Sequence, residues 1–345
     1  MEKVVLGLSD GVDSCVSAYL LKRMGYEVLG VYMDIGTPRQ LECARENAIE
    51  AGIGFEAINV EAEMEALVRR PFVEAYLSGR TPMPCTLCNR EVKLPALFKA
   101  AASFGAGKVA TGHYVRTDGE RLYMGRAECD QSFMLSRLTQ EQVSGLLLPL
   151  GEMSKTEVRE LAARLGFTCA SRPDSRENCF IRDRDYTSYI EQRCGDMLPC
   201  GGDVLYDGRV IGKHEGIYRY TVGQRWKTDI GERRAYVKRI DAGANTVELC
   251  LWEGLFTHSV RLSDVSFISG KAPAGEFDTA IRVRHTRWET PECHIRMEGD
   301  TARVETISPL RAPAPGQSAA LYSGDMLLGG GTVEECLQYL HNKIM

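Results

Sequence analysis

Lys3-Val-Val-Leu-Gly-Leu-Ser-Asp-Gly-Val-Asp-Ser14 is the stretch on which the fold turns. Its aliphatic half, Lys3–Leu8, reads as a strand. The other half opens a helix with Val12, Val16, Tyr19 and Leu20 on one face and Gly25 closing it. Ser9 to Ser14 therefore sits at a strand-to-helix junction. Small and hydroxyl side chains there let backbone N–H groups approach a phosphate at the positive end of the helix. A Walker loop would end in Gly-Lys-Ser/Thr and a dinucleotide fold would carry Gly-x-Gly-x-x-Gly, and neither is present.

Outward from this loop, Tyr26–Met33 reads as a strand, Leu41–Ala51 as a helix, Phe55–Val60 as a strand, Glu63–Leu77 as a helix and Lys108–Gly112 as a further strand. That alternation indicates βαβ units and a parallel sheet covered on both faces, a doubly wound α/β domain. From Pro199 the texture changes to short β-like runs, with turn signals at Asp207-Gly208, Asp241-Ala-Gly243, Glu298-Gly-Asp300 and Ser323-Gly-Asp325. Ala302–Ile307 and Ser318–Tyr322 suit a small sheet or barrel. The expected division is an α/β catalytic domain over 1–193, a small central β-rich domain over 194–258 and a C-terminal β-barrel-like domain over 259–345.

Bulk composition narrows the function classes. The chain has 345 residues, 44% apolar and 26% charged, and no run approaches the eighteen or so apolar residues of a membrane span. Met1 to Leu8 lack the regions of a signal peptide, so the mature protein is expected to start at Met1. Twelve cysteines without a leader argue for reduced thiols in a cytoplasmic protein rather than a disulfide scaffold. A net charge of −5 means that any RNA contact must use local basic patches.

The junction loop resembles the Ser-Gly-Gly-x-Asp-Ser loop of the ATP pyrophosphatase superfamily, with Asp10 where glycine is usual. Three further stretches extend the resemblance: Gly79-Arg-Thr-Pro-Met-Pro-Cys-Thr-Leu-Cys-Asn-Arg-Glu-Val-Lys93, Ala110-Thr-Gly-His-Tyr114 and Arg172-Pro-Asp-Ser-Arg-Glu-Asn-Cys-Phe-Ile181. With Asp130-Gln-Ser-Phe-Met-Leu135, Pro149-Leu-Gly151, Tyr220-Thr-Val-Gly-Gln-Arg225, Pro315-Gly-Gln317 and Gly329-Gly-Gly331, the chain resembles the tRNA-specific 2-thiouridylases nearly end to end.

That resemblance implies ATP-dependent thiolation at C2 of the wobble uridine in tRNAs such as those for Lys, Glu and Gln. ATP, with Mg2+, turns the poorly leaving C2 oxygen into an adenylate. A cysteine persulfide, charged by a cysteine desulfurase or a sulfur-relay protein, then supplies sulfur. By position, Cys179 corresponds to the persulfide carrier and Cys88 to the second catalytic cysteine. Arg90, Lys93 and Arg176 are the nearest cations expected to activate them.

Gly7, Leu8, Ser9, Asp10, Gly11, Val12, Asp13 and Ser14, with Met33 and Gly112, match ATP-binding positions; Met83, Pro84 and Cys85 match the segment facing the target base. His113, Cys129, Asp130, Gln131, Arg282, Val283 and Gln317 match tRNA-contacting positions, and Arg282-Val-Arg-His-Thr-Arg287 puts alternate arginines on one face of an expected strand.

Several departures keep alternatives open. Cys85 stands where many relatives have Asp, so Cys85, Cys88 and Cys179 offer three thiolates to a [4Fe–4S] cluster. Cys129 replaces a usual lysine, and Arg225-Trp-Lys-Thr-Asp-Ile230 replaces a usual Arg-Arg-Gly-Leu-Gly run, as in a divergent tRNA-binding or sulfur-carrier paralogue. An amide- or guanidine-forming pyrophosphatase would share the loop but not the paired cysteine motifs.

Overall fold

The computed structural model describes residues 1–126, 128–173, 178–181, 185–284 and 290–339. Val4, Val5 and Leu6 are wholly buried, as an aliphatic strand covered on both faces requires. They belong to β1 (Lys3–Gly7), which the loop joins to α1 (Val12–Arg23); β2 (Glu27–Asp34), α2 (Pro38–Ala51) and β3 (Gly54–Asn59) follow.

The next helical stretch is not uniform. It starts as α3 (Glu61–Met64), widens to π geometry over Glu65–Arg69 and continues as α4 (Arg70–Leu77). The cysteine motif forms α5 (Pro84–Cys88), a second π segment over Asn89–Lys93 and α6 (Leu94–Phe104). Such π turns accompany functional sites, and here both border the thiols. Leu94 and Leu97 of α6 are buried against the sheet, each contributing about 2 kcal/mol.

After β4 (Lys108–Ala110) a hairpin, β5 (Val115–Thr117) and β6 (Leu122–Met124), leaves the sheet; α7 (Gln140–Ser144) and β7 (Leu146–Leu147) return to it. The five strands run parallel in the order β3-β2-β1-β4-β7, a doubly wound sheet. α8 (Lys155–Arg164) and α9 (Tyr186–Cys194) complete this part.

The central sheet pairs β8 (Gly202–Tyr206), β9 (Arg209–His214), β10 (Tyr236–Asp241) and β11 (Thr246–Cys250) in the order β10-β11-β8-β9. Asp207 and Gly208 both have positive φ (48° and 73°), which gives the β8–β9 hairpin a two-residue turn matched to strand twist. β12 (Phe256–Phe267), β13 (Glu276–Arg282), β14 (Glu292–Glu298), β15 (Thr301–Arg311), β16 (Ser318–Ser323) and β17 (Met326–Tyr339) then close a barrel through the β12–β17 pairing. Closure removes the open edges that a sheet would otherwise expose.

The barrel is locked to the first domain by backbone and core. β17 pairs with β6, so the β5–β6 hairpin of the first domain extends the barrel sheet. Tyr322 and Leu327 of the barrel share a core cluster with Leu122 and Phe133. No helix among the described residues is long and apolar enough to cross a membrane.

Candidate active site

The loop after β1 is shaped by its own hydroxyls. Ser9 N–H donates to Ser14 Oγ at 3.0 Å, Gly11 N–H donates to Ser9 Oγ at 3.1 Å, and Asn47 Nδ2 donates to the Ser9 carbonyl at 3.0 Å. Gly11 enters α1 with extended backbone (φ −88°, ψ 156°), and no side chain caps the helix. The first-turn amides and the positive end of the helix dipole are thus left for an anion. Gly112 crosses close to this turn: a Cβ there would lie 3.2 Å from both Asp13 C and Ser14 N, leaving no comfortable room for a side chain.

Two cations outside the loop motif flank it. Lys155 Nζ lies 2.7 and 2.8 Å from the carboxylate oxygens of Asp13, and Tyr114 OH donates to Asp13 Oδ1 at 2.5 Å. The Ser154–Glu157 capping box starts α8 and so fixes Lys155 in its first turn. Arg172 Nη1 donates to the Asp10 carbonyl at 3.0 Å, while its Nη2 lies 3.5 Å from Glu46. The sequence reading assigns a role to neither cation; the Ser-x-x-Glu pattern at Ser154 was the local signal for Lys155.

One open cavity of about 1610 Å³ runs from this loop to the cysteines. Leu8 to Asp13 line it together with Met33, and so do Pro84, Cys85 and Cys88. His113, Cys129, Asp130, Gln131, Cys179 and Arg282 also open onto it. Other expected site residues lie behind its surface. Gly7 ends β1 under Leu97, Ser14 is buried beneath the loop, and Met83 faces a smaller neighbouring cavity. Val283 is buried in the barrel core, and Gln317 Oε1 accepts from Ala314 N at 3.3 Å.

The three thiols line one cavity. Cys85 Sγ contacts Asn178 Oδ1 at 3.9 Å and Cys88 Sγ contacts Met64 Sδ at 3.8 Å, whereas Cys179 presents an exposed surface. Burial pushes the Cys85 thiol up to about 12, and it also raises Cys88 and Cys179. Lys93 opposes this for all three, and Arg69 opposes it for Cys179.

Desolvation wins, because protein surrounds the sulfurs even where Cys179 opens to the cavity. Of the cations expected from sequence to activate Cys88 and Cys179, Lys93 does lower both, but burial outweighs it and the net shift is upward. Of the cations named from sequence, Arg90 is paired with Glu91 at 2.9 Å and Arg176 lies outside the described residues. Arg69, on the π segment after α3, had no sequence signal.

His113 is held well below the ordinary histidine value by burial and by Lys93, so its imidazole is neutral; Nδ1 lies 2.7 Å from Thr111 Oγ1. Asp130 accepts from Arg282 Nη1 at 2.6 Å and from Ser132 Oγ at 3.0 Å, and Arg282 lies over the Tyr322 ring. Gln131 Oε1 accepts from Tyr114 N at 3.1 Å, and the Cys129 thiol contacts the Met153 carbonyl at 3.5 Å.

β13 ends at Arg282, and Arg284 beyond it donates to the carbonyls of Val222 and Ala312. Arg284 is turned into protein, whereas Arg282 pairs with Asp130 at the cavity wall. The rest of the expected basic face, His285 to Arg287, lies outside the described residues.

Among the described residues no three His, Cys, Asp or Glu side chains are grouped so as to hold a metal ion. Cys85, Cys88 and Cys179 share a cavity without forming a ligand set, so no step is assigned to an iron–sulfur cluster.

Comparison with known proteins matches three family models in order: a tRNA methyl transferase HUP domain over residues 2–183, a tRNA methyl transferase PRC-barrel domain over 187–250 and an aminomethyltransferase beta-barrel domain over 257–333. The tRNA-specific 2-thiouridylase MnmA of Lachnoclostridium phytofermentans is 37% identical over 358 residues, covering 96% of this chain and 99% of that protein. The proteins of the same name from Carboxydothermus hydrogenoformans and Ralstonia nicotianae are 36% and 38% identical, covering 97% and 96% of this chain and 98% and 96% of the relatives.

Proposed function

The chain belongs to the tRNA-specific 2-thiouridylase family, and from that premise we propose how its residues divide the ATP-dependent thiolation of a tRNA uridine. One observation carries the reading. The uncapped phosphate loop, the Pro84–Cys85 segment and the thiols of Cys88 and Cys179 open onto one cavity.

ATP lies with its phosphates over the first turn of α1, where loop amides, Lys155 and Arg172 offset their charge. Asp13 is already neutralised by Lys155, which leaves Asp10 as the loop carboxylate suited to the Mg2+ that accompanies ATP. Mg2+ would draw charge from the departing pyrophosphate. Met33 lies along the adenosine side. The target uridine enters beside Pro84, with neutral His113 excluding water without adding positive charge.

The uridine O2 attacks the α-phosphorus, forming the adenylated base and releasing pyrophosphate. The terminal sulfur of a Cys179 persulfide then attacks C2 and displaces AMP, leaving a C2–S–S–Cys179 linkage. Cys88 attacks the Cys179 sulfur, which frees 2-thiouridine and leaves a Cys88–Cys179 disulfide for an external thiol to reduce. In a variant order, Cys88 first cleaves the persulfide and sulfide attacks C2. The exposed surface of Cys179 suits loading by a protein donor such as a cysteine desulfurase or a sulfur-relay protein.

The substrates are wobble-uridine tRNAs such as those for Lys, Glu and Gln, gripped through Asp130, Gln131, Arg282 and the barrel. The test is pyrophosphate release and 2-thiouridine formation with ATP, a persulfide donor and unmodified tRNA. Both products are expected only with tRNA present. ATP turnover that is indifferent to tRNA would overturn the reading.

A further inference from the structure

A second, smaller cavity of about 190 Å³ lies between α4, α5 and the barrel strands β16 and β17. Its walls are mostly hydrocarbon, with Phe72, Pro82, Met83, Pro84 and Leu87 among them. Among the described residues lining it there is no Asp or Glu, yet two arginines, Arg80 and Arg137, are present.

Arg137 lines this cavity and is 6% exposed; its Nε and Nη1 have no accessible surface and no hydrogen-bond partner among the described residues, so an occupant would meet the rest of the guanidinium first. A buried guanidinium left unpaired carries a desolvation penalty that only an anion or matching acceptors can offset. The nearest attractive charges, Asp264 and Glu91, act on it from a distance, and Arg90 opposes them. Burial accordingly lowers the Arg137 pKa from its ordinary value. Three hydroxyls also line the walls: Thr86 and Ser318 lie 2.8 Å apart and engage each other, and neither they nor Thr332 bonds the Arg137 guanidinium.

We propose that this cavity binds a small organic acid, whose carboxylate pairs with Arg137 and whose hydrocarbon body lies against Phe72, Met83 and Leu87. Charge complementarity calls for the anion, and the apolar walls call for the body. By liquid volume the cavity matches about six waters, which suits a single ring or branched chain and excludes a nucleotide. The occupant would touch Met83 and Pro84, the residues that lead into Cys85, so it sits behind the target-base segment without entering the active site.

The test is thermal unfolding of the full chain at matched ionic strength with benzoate, with benzamide as its neutral isostere, or with inorganic phosphate. Wild type and Arg137→Leu are compared. Benzoate is expected to raise the wild-type midpoint saturably. Benzamide and phosphate should have little effect, and Arg137→Leu should lose the benzoate response while keeping thiolation. The proposal fails if benzoate and benzamide act alike, if Arg137→Leu still responds, or if phosphate alone shifts the midpoint, which would mark a site for a nucleic-acid phosphate. Should Arg137→Leu not fold, calorimetric titration of wild type decides: benzoate binding at least tenfold tighter than benzamide supports the proposal, and equal or absent binding overturns it.

Discussion

Lys155 Nζ holds both carboxylate oxygens of Asp13, at 2.7 and 2.8 Å, and so ties the start of α8 to the first turn of α1. The pair leaves the phosphate site less negative than Asp10 and Asp13 alone would make it. Lys155→Met should reduce kcat/KM for ATP about a hundredfold, the scale of a charge-assisted contact in a partly desolvated site. Tyr114 still holds Asp13, so folding and tRNA affinity should survive. Pyrophosphate release and a tRNA gel-shift assay check the two halves.

Ser14 shapes the loop from beneath, accepting from Ser9 N–H and lying 3.1 Å from the Gly11 carbonyl. Ser14→Ala removes a buried hydroxyl partner, a cost of about 1–3 kcal/mol, and should raise KM for ATP roughly tenfold. tRNA affinity should not change. ATP kinetics identical to wild type would remove this loop from the active site.

Sulfur transfer should depend steeply on pH. Cys88 has a raised pKa, so its thiolate is the minor form at neutral pH and gains about tenfold for each unit of rising pH below that pKa. Single-turnover thiolation should therefore climb between about pH 7 and 9 without a plateau. Lys93→Met removes the charge that lowers Cys88 and Cys179 and should displace the whole profile to higher pH, slowing transfer about tenfold at neutral pH. A wild-type plateau below about pH 8 would contradict the raised thiol.

Cys85 separates the persulfide route from a cluster. As a wall of the target-base pocket its thiol is buried and protonated, so Cys85→Asp, which restores the commoner family residue, should preserve activity. A cluster ligand would not tolerate the change, because carboxylate is a harder ligand than thiolate. The check is 2-thiouridine formed by anaerobically reconstituted protein, where a loss beyond about tenfold, roughly 1.4 kcal/mol, would favour the cluster.

The fold was legible where side-chain periodicity carries it. Lys3–Leu8 and Tyr26–Met33 read as strands because burial on both faces demands aliphatic runs, and the structure places β1 and β2 there. Pro84–Phe104 gave no such signal, since Pro84 and Pro95 mask a stretch that is helical and π-helical throughout.

The β5–β6 hairpin was also silent. Three-residue strands carry too short a period to read, and their partner β17 is some two hundred residues away. Motif order brought Cys88, Cys179, the phosphate loop and the stretch that begins at Arg172 into view, but not the roles of Lys155, Arg172 or Arg69, which act through space. The sign of the thiol pKa shifts was likewise hidden: sequence displays neighbouring charges and conceals burial.

The central claim is that ATP activates the base before Cys179 delivers sulfur, and Cys179→Ser tests it most directly. In one preparation, tRNA-dependent pyrophosphate release and 2-thiouridine are measured side by side with a persulfide donor. The division of roles predicts that thiolation disappears while the first round of pyrophosphate release stays within about threefold of wild type, under 1 kcal/mol in the barrier. Equal loss of both products would contradict it.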